Sequence, residues 1–204
     1  MIVEMRTYNL RPGATAEYEQ RVAAGLEHRT QFSPLAAWWH TDIGTLNQVI
    51  HLWPYESMAQ RDEVRRAALK PGVWPPDGED LVLTQESKIL APASFSPSLE
   101  PREIGPIFEI RTYQLKPGAG DQVATLWAGP IAERVTHSPL VFAGVTQLGQ
   151  LHEWIHIWAY NDLNERVRVR AEVAASGHWP PRTREFIVSQ QNAIALPATF
   201  SQIR

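Results

Sequence analysis

IVEMRTYNLRPGA at residues 2–14 reappears as IFEIRTYQLKPGA at residues 107–119, and the spacing of 105 residues between Glu4 and Glu109 holds to the end of the chain. Ser33-Pro34-Leu35 falls on Ser138-Pro139-Leu140, Gly44 on Gly149, and His51, Trp53 and Tyr55 on His156, Trp158 and Tyr160. Farther along, Arg61 and Arg65 meet Arg166 and Arg170, Trp74-Pro75-Pro76 meets Trp179-Pro180-Pro181, and PASFS at 92–96 meets PATFS at 197–201. No gap is needed. A register this long and constant, in only two copies, excludes a solenoid and means a tandem domain or a fused ancestral dimer. The copies are assigned to residues 1–98 and 106–204.

Each copy reads β-α-β-β-α-β. Residues 2–9 alternate and stop at Arg11-Pro12-Gly13, which marks a strand and its turn. Residues 14–31 space Tyr18, Val22 and Leu26 at helical intervals. Strands follow over 35–42 and 48–54 around a turn at Gly44, then a helix over 56–69 that Pro71-Gly72 ends, then a last strand over 83–91. This order is the split β-α-β plan of ferredoxin-like folds, an α+β class. One such half leaves a sheet face bare, so the second must cover it. The expected architecture is therefore an intrachain pseudo-dimer, which could pair again as a homodimer.

With 204 residues, 44% hydrophobic and 20% charged, the chain has the means for a real core. A net charge of −3, scattered along the sequence, offers no footprint for nucleic acid and no polybasic anchor for a membrane. Without cysteine there are no disulfides, thiolate nucleophiles or thiolate-held metals. The N-terminus enters a strand pattern at once, with no signal peptide or membrane span, so the cytosol is the expected location. Nucleophile-elbow, phosphate-loop and dinucleotide fingerprints are absent.

Residues 152–156, HEWIH, match the H-E-x-x-H zinc pattern, which needs a helix to bring both imidazoles to one ion. The repeat sets His152 and Glu153 against Asn47 and Gln48, inside a β-rich run between a glycine turn and a helix start. On a strand, histidines four apart lie roughly 13 Å from one another, too far for one zinc. No metal is expected.

Alternation places Glu4, Arg6 and Tyr8 on one face of the first strand, and Val49, His51 and Trp53 on one face of the third. In a ferredoxin-like sheet these strands are central neighbours. The grouped set is Glu4, Arg6, Tyr8, His51 and Trp53, with Glu109, Arg111, Tyr113, His156 and Trp158 as counterparts. A charge on a central strand must be paired or line a wet cavity. One possibility is an ion pair from Glu4 to Arg6, Arg61 or Arg65, tying helix to sheet. The other is a pocket in which Arg6, Tyr8 and His51, and Arg111, Tyr113 and His156, carry chemistry. Glu4, Trp53 and Arg61, and Glu109, Trp158 and Arg166, would then meet the ligand. His28, His40, His137 and His178 have no copy and are expected at the surface. Trp74-Pro75-Pro76 and its twin should form a rigid loop over the core.

The E-x-R-T-Y-x-L-x-P-G opening, the H-x-W-x-Y run before an arginine-bearing helix and the closing P-A-x-F-S, each present twice, resemble the NIPSNAP family across nearly all of both copies. The Pro-Pro after Trp74 and Trp179 departs from the family's more helical segment. The resemblance implies a dimeric α/β barrel, two four-stranded sheets face to face with helices outside. It belongs to a superfamily that includes cofactor-free monooxygenases, isomerases and haem-handling enzymes. NIPSNAP relatives in eukaryotes are associated with mitochondria and protein interactions. A cysteine-free tandem looks more like a bacterial cytosolic protein. The implied function is binding of an apolar or aromatic small molecule without cofactor, with monooxygenase-like or isomerase-like chemistry. A protein-interaction module is the alternative. Haem handling would need His51 or His156 as the axial ligand.

Overall fold

Alternation on the first strand gives it an apolar face, Val3 and Met5, and a polar-aromatic face, Glu4, Arg6 and Tyr8, and this division organises the molecule. A computed structural model describes all residues, Met1–Arg204. The first half runs β1 (Ile2–Leu10), α1 (Thr15–Thr30), β2 (Ala37–Ile43), β3 (Gln48–Tyr55), α2 (Met58–Ala67) and β4 (Val82–Pro92). The second runs β5 (Ile107–Leu115), α3 (Gly120–Ala128), α4 (Ile131–Arg134), β6 (Leu140–Leu148), β7 (Glu153–Tyr160), α5 (Leu163–Ala175) and β8 (Ile187–Pro197). A single 3-10 turn, Arg184–Phe186, precedes β8.

The eight strands close into a barrel in the order β1-β3-β2-β8-β5-β7-β6-β4. Each half contributes an antiparallel sheet with β1 or β5 at its centre, and the seams are the antiparallel pairs β2·β8 and β4·β6. Closure leaves no open sheet edge, which removes a route to aggregation. The apolar strand faces meet inside: Val3, Met5, Ile50 and Leu52 from one half, Phe108, Ile110, Ile155 and Ile157 from the other, in one continuous core. Trp39 and Phe108 pack across the seam with ring centroids 4.8 Å apart. The bare face expected of a single half is therefore filled by its twin.

The closing motifs cross between halves. Ala198 and Ser201 bond to the backbone of Trp38, and Ala93 and Ser96 to that of Ala143. Phe200 packs on Trp38, and Phe95 on Trp127 and Trp154. Each half thus finishes the outer wall of the other.

The polar-aromatic faces look outward, towards the helices. In the first copy one unbroken helix, α1, buries Tyr18, Val22 and Leu26. Gly25 lets the 70–74 loop lie on the helix, since a Cβ there would meet the Val73 carbonyl at 2.3 Å. In the second copy that position is Pro130, and the helix divides into α3 and α4, because proline lacks the N–H that would continue it.

Two expectations need correction. His152 lies outside β7, in a turn with φ +60°, like Asn47 at φ +54°, so only Glu153 to His156 of HEWIH are strand. His28 and His40 are half-buried rather than free at the surface: His28 Nε2 meets the Ala68 carbonyl at 3.1 Å, and His40 Nδ1 meets Glu19 at 2.9 Å. The Trp-Pro-Pro loops pack through Trp74 and Trp179 on the cores between sheet and helices, and they also line the recesses there. No helix is long and apolar enough to cross a membrane.

Candidate functional site

Strand pairing brings the predicted residues together. Arg6 stands opposite His51 and Glu4 opposite Trp53, and Arg111 and Glu109 stand opposite His156 and Trp158. Above each sheet, beneath the helices and the Trp-Pro-Pro loop, lies a recess, of about 720 Å³ in the first half and about 640 Å³ in the second. Arg6, Tyr8, His51 and Trp53 line the first; Arg111, Tyr113, His156 and Trp158 line the second.

Glu4, Arg61, Glu109 and Arg166 do not line the recesses. They form the ion-pair network behind them. Glu4 is fully buried, and its Oε1 accepts from Arg6 Nη1 at 3.0 Å, Arg61 Nη2 at 2.7 Å and Ser87 Oγ at 2.7 Å. Arg65 approaches Oε2 at 3.8 Å. Glu109 repeats this with Arg111 at 2.8 Å, Arg166 at 2.6 Å and Asn192 at 3.3 Å. Burial pulls the Glu4 carboxyl up, but hydrogen bonds from Arg61 and Ser87 and the charges of Arg6 and Arg65 outweigh it, and the net shift is downward. Both ion-pair and pocket arrangements are thus present, one behind the other. The network fixes Arg6, whose Nε donates to Tyr8 Oη at 2.6 Å; Arg111 and Tyr113 repeat the bond at 2.7 Å. Burial raises the Tyr8 phenol against the opposing pull of Arg6, so it stays protonated, its oxygen accepting and its proton free to donate.

The histidines are fixed from behind. Trp53 Nε1 lies 2.6 Å from His51 Nδ1, and Trp158 Nε1 lies 2.7 Å from His156 Nδ1. An indole only donates, so Nδ1 accepts and the neutral ring carries its hydrogen on Nε2. Burial, reinforced by Arg6, Arg65 and Arg29, drives the His51 pKa well below the usual value, and His156 behaves alike. Each Nε2 is sealed from solvent with no partner. A ring that carries its hydrogen on Nε2 has no in-plane lone pair there, and with that atom sealed it suits neither a general base nor an axial haem ligand. Haem therefore does not fit these residues.

A guanidinium that the pattern of alternating strands did not reveal completes each recess. Arg29, from the end of α1, is 3% exposed, and Arg134, from α4, is 4% exposed. Arg29 donates to Tyr55 Oη at 2.9 Å and Ser33 Oγ at 2.9 Å and lies 4.1 Å from the Trp53 ring centre. Arg134 donates to Ser138 Oγ at 2.9 Å and Tyr160 Oη at 3.3 Å, 3.9 Å from the Trp158 ring. Neither forms a salt bridge, although both line a recess. Burial lowers both their pKa values. The signal was in the repeat: R-x-x-x-S-P-L at 29–35 recurs at 134–140. Arg65 and Arg170, about two-fifths exposed, also line their recesses.

A buried cation without a counter-charge costs several kcal/mol, which a cation–π contact of about 0.5–2 kcal/mol and two neutral hydrogen bonds offset only in part. Glu4 cannot supply the missing charge, because Arg6, Arg61 and Arg65 share it. Each recess is thus electropositive at its back and aromatic at its sides.

The NIPSNAP family model matches the chain twice, over residues 3–97 and 108–202. Protein NipSnap homolog 3A of Homo sapiens is 30% identical over 220 residues, covering 98% of this chain and 85% of that protein. An uncharacterized NIPSNAP domain protein from Burkholderia xenovorans is 33% identical, spanning 48% of this chain and all of its own, with a TM-score of 0.44. A candidate monooxygenase from Lactobacillus acidophilus NCFM shares the fold over 96% of this chain and 92% of its own, with a TM-score of 0.69 at 9% identity.

Proposed function

The chain belongs to the NIPSNAP family, and from that premise we propose that it binds a small aromatic or apolar compound bearing an acidic group in each of its two recesses, with no metal or cofactor. The observation that carries this reading is the buried guanidinium of Arg29 and of Arg134, each at a recess wall and each without a carboxylate partner. A bound anion would supply the missing charge, and charge-assisted hydrogen bonds in a desolvated setting are about twice as strong as neutral ones. Trp53 and Trp74, or Trp158 and Trp179, form the apolar walls. Arg6 and Arg111 hold the tyrosines, whose hydroxyls can donate to the ligand. With one proton to give and no free base, the set suits binding first. Isomerase-like proton donation from Tyr8 or Tyr113 is the chemistry it is nearest to. The cytosol remains the location we assign.

A second reading, a protein-interaction module, draws on Leu46, Leu148 and Leu151, which are 64%, 52% and 52% exposed around the β2–β3 and β6–β7 hairpins. A native mass spectrum of freshly purified protein separates the two. The expected result is a chain carrying an acidic small molecule, which is lost in the Arg29→Gln/Arg134→Gln double variant while Arg29→Lys/Arg134→Lys retains it. A bare chain that also fails to take up added 2-naphthoate would sink the ligand reading.

A further inference from the structure

The back walls of the two recesses match, but their rims carry opposite charge. In the first, the loop before β4 brings Asp77 and Glu79 to the recess. The same register positions in the second are Arg182 and Arg184, of which Arg184 lines the recess. All four residues are exposed. Asp77 and Glu79 form no ion pair, and neither do Arg182 and Arg184. The first recess thus holds Arg6, Arg29 and Arg65 against two carboxylates, whereas the second holds Arg111, Arg134, Arg170 and Arg184 against none.

The side walls diverge as well. Trp38 and Tyr18 line the first recess, and their register partners Ala143 and Val123 do not line the second, where Trp127 stands in the place of Val22. The charge thus reverses at two rim positions while the buried arginine is kept.

Building on the assignment of both recesses as sites for acidic ligands, we propose that they take different ones. The second recess binds an aromatic compound whose acidic group carries two negative charges, facing Arg134, Arg170 and Arg184 together. The first binds a compound with a single acidic group at Arg29, and its carboxylate rim repels a second negative charge. The rim residues Asp77, Glu79 and Arg184 determine this selectivity, because like charges facing one another disfavour the wrong ligand as effectively as a paired charge favours the right one.

The test is calorimetric titration of the full chain with 2-naphthoate, a monoanion, and 2-naphthyl phosphate, which is close to a dianion at neutral pH. Naphthoate should fill two sites per chain and naphthyl phosphate one. Arg184→Glu should weaken phosphate binding about tenfold, or about 1.4 kcal/mol, and leave both naphthoate sites in place. Asp77→Arg/Glu79→Arg should create a second phosphate site. Two equal phosphate sites in the parent protein, or a phosphate affinity indifferent to Arg184→Glu, would overturn the division of ligands while leaving the recesses as binding sites. Uptake of neither probe would overturn the ligand assignment itself.

Discussion

In the first recess the plate beside the central histidine is Trp38 on β2, stacked on His51 with centroids 4.1 Å apart; in the second it is Trp127 on α3, 4.6 Å from His156. The plate has moved from sheet to helix, but the histidine, its indole donor, the tyrosine, the buried arginine and the shared glutamate have stayed in place. Elements fixed by several partners at once could not change singly, because each change would strand a buried polar group. Elements that only fill space could be exchanged between neighbouring layers so long as volume was kept.

This comparison predicts that the shared parts fail alike in both halves. Glu4→Ala and Glu109→Ala each remove the carboxylate that the largely buried guanidiniums around it share, and each should cost about 3–5 kcal/mol in urea unfolding. A large cost in one half and a negligible one in the other would break the equivalence of the two networks.

Next in size is the response to acid. The folded pKa values of His51 and His156 lie below the unfolded value near 6.5, so below that pH the unfolded chain takes up protons that the folded chain refuses. Stability contributed by each neutral histidine is present above pH about 6.5 and is lost as pH falls towards the folded pKa, at up to about 1.4 kcal/mol per pH unit for each. His156→Gln should remove one of the two histidine contributions to the acid loss, which His40, its pKa raised by the Glu19 carboxylate, opposes. Stability unchanged from pH 7 to 5 would contradict a pair of neutral, sealed imidazoles.

The smallest effect concerns a part that is not shared. Gly25→Ala drives a methyl against the Val73 carbonyl, and the loop over the first recess must lift, at about 1–3 kcal/mol. In the second copy Pro130 takes this position, and there the helix divides. Unchanged stability in Gly25→Ala would mean that this loop is held less closely than the packing implies.

The repeat made the barrel legible. Glu4, Arg6 and Tyr8 could be assigned to one face because strand alternation has a period of two, and their neighbours on β3 followed from the ferredoxin-like order. Alternation could not say which charges sit in the recess and which behind it. Glu4 and Arg61 differ from Arg6 in depth, and depth depends on how far the helix stands from the sheet. Arg29 lies at a helix end, where no strand period marks it, although it recurs as Arg134 in the second copy. The helix break at Pro130 was hidden by the constant register, which preserves residue positions but not backbone conformation. The rim reversal was also written in the aligned copies, and it gains meaning only once the fold brings Asp77 and Arg184 to their recesses.

The most direct test of the central claim is a crystal structure of the protein with 2-naphthoate. The account predicts a naphthoate in each recess, its carboxylate about 3 Å from the guanidinium of Arg29 in one half and of Arg134 in the other, with the ring system against Trp53 or Trp158. Naphthoate bound elsewhere, with both arginines still turned only towards their serine and tyrosine partners, would contradict it.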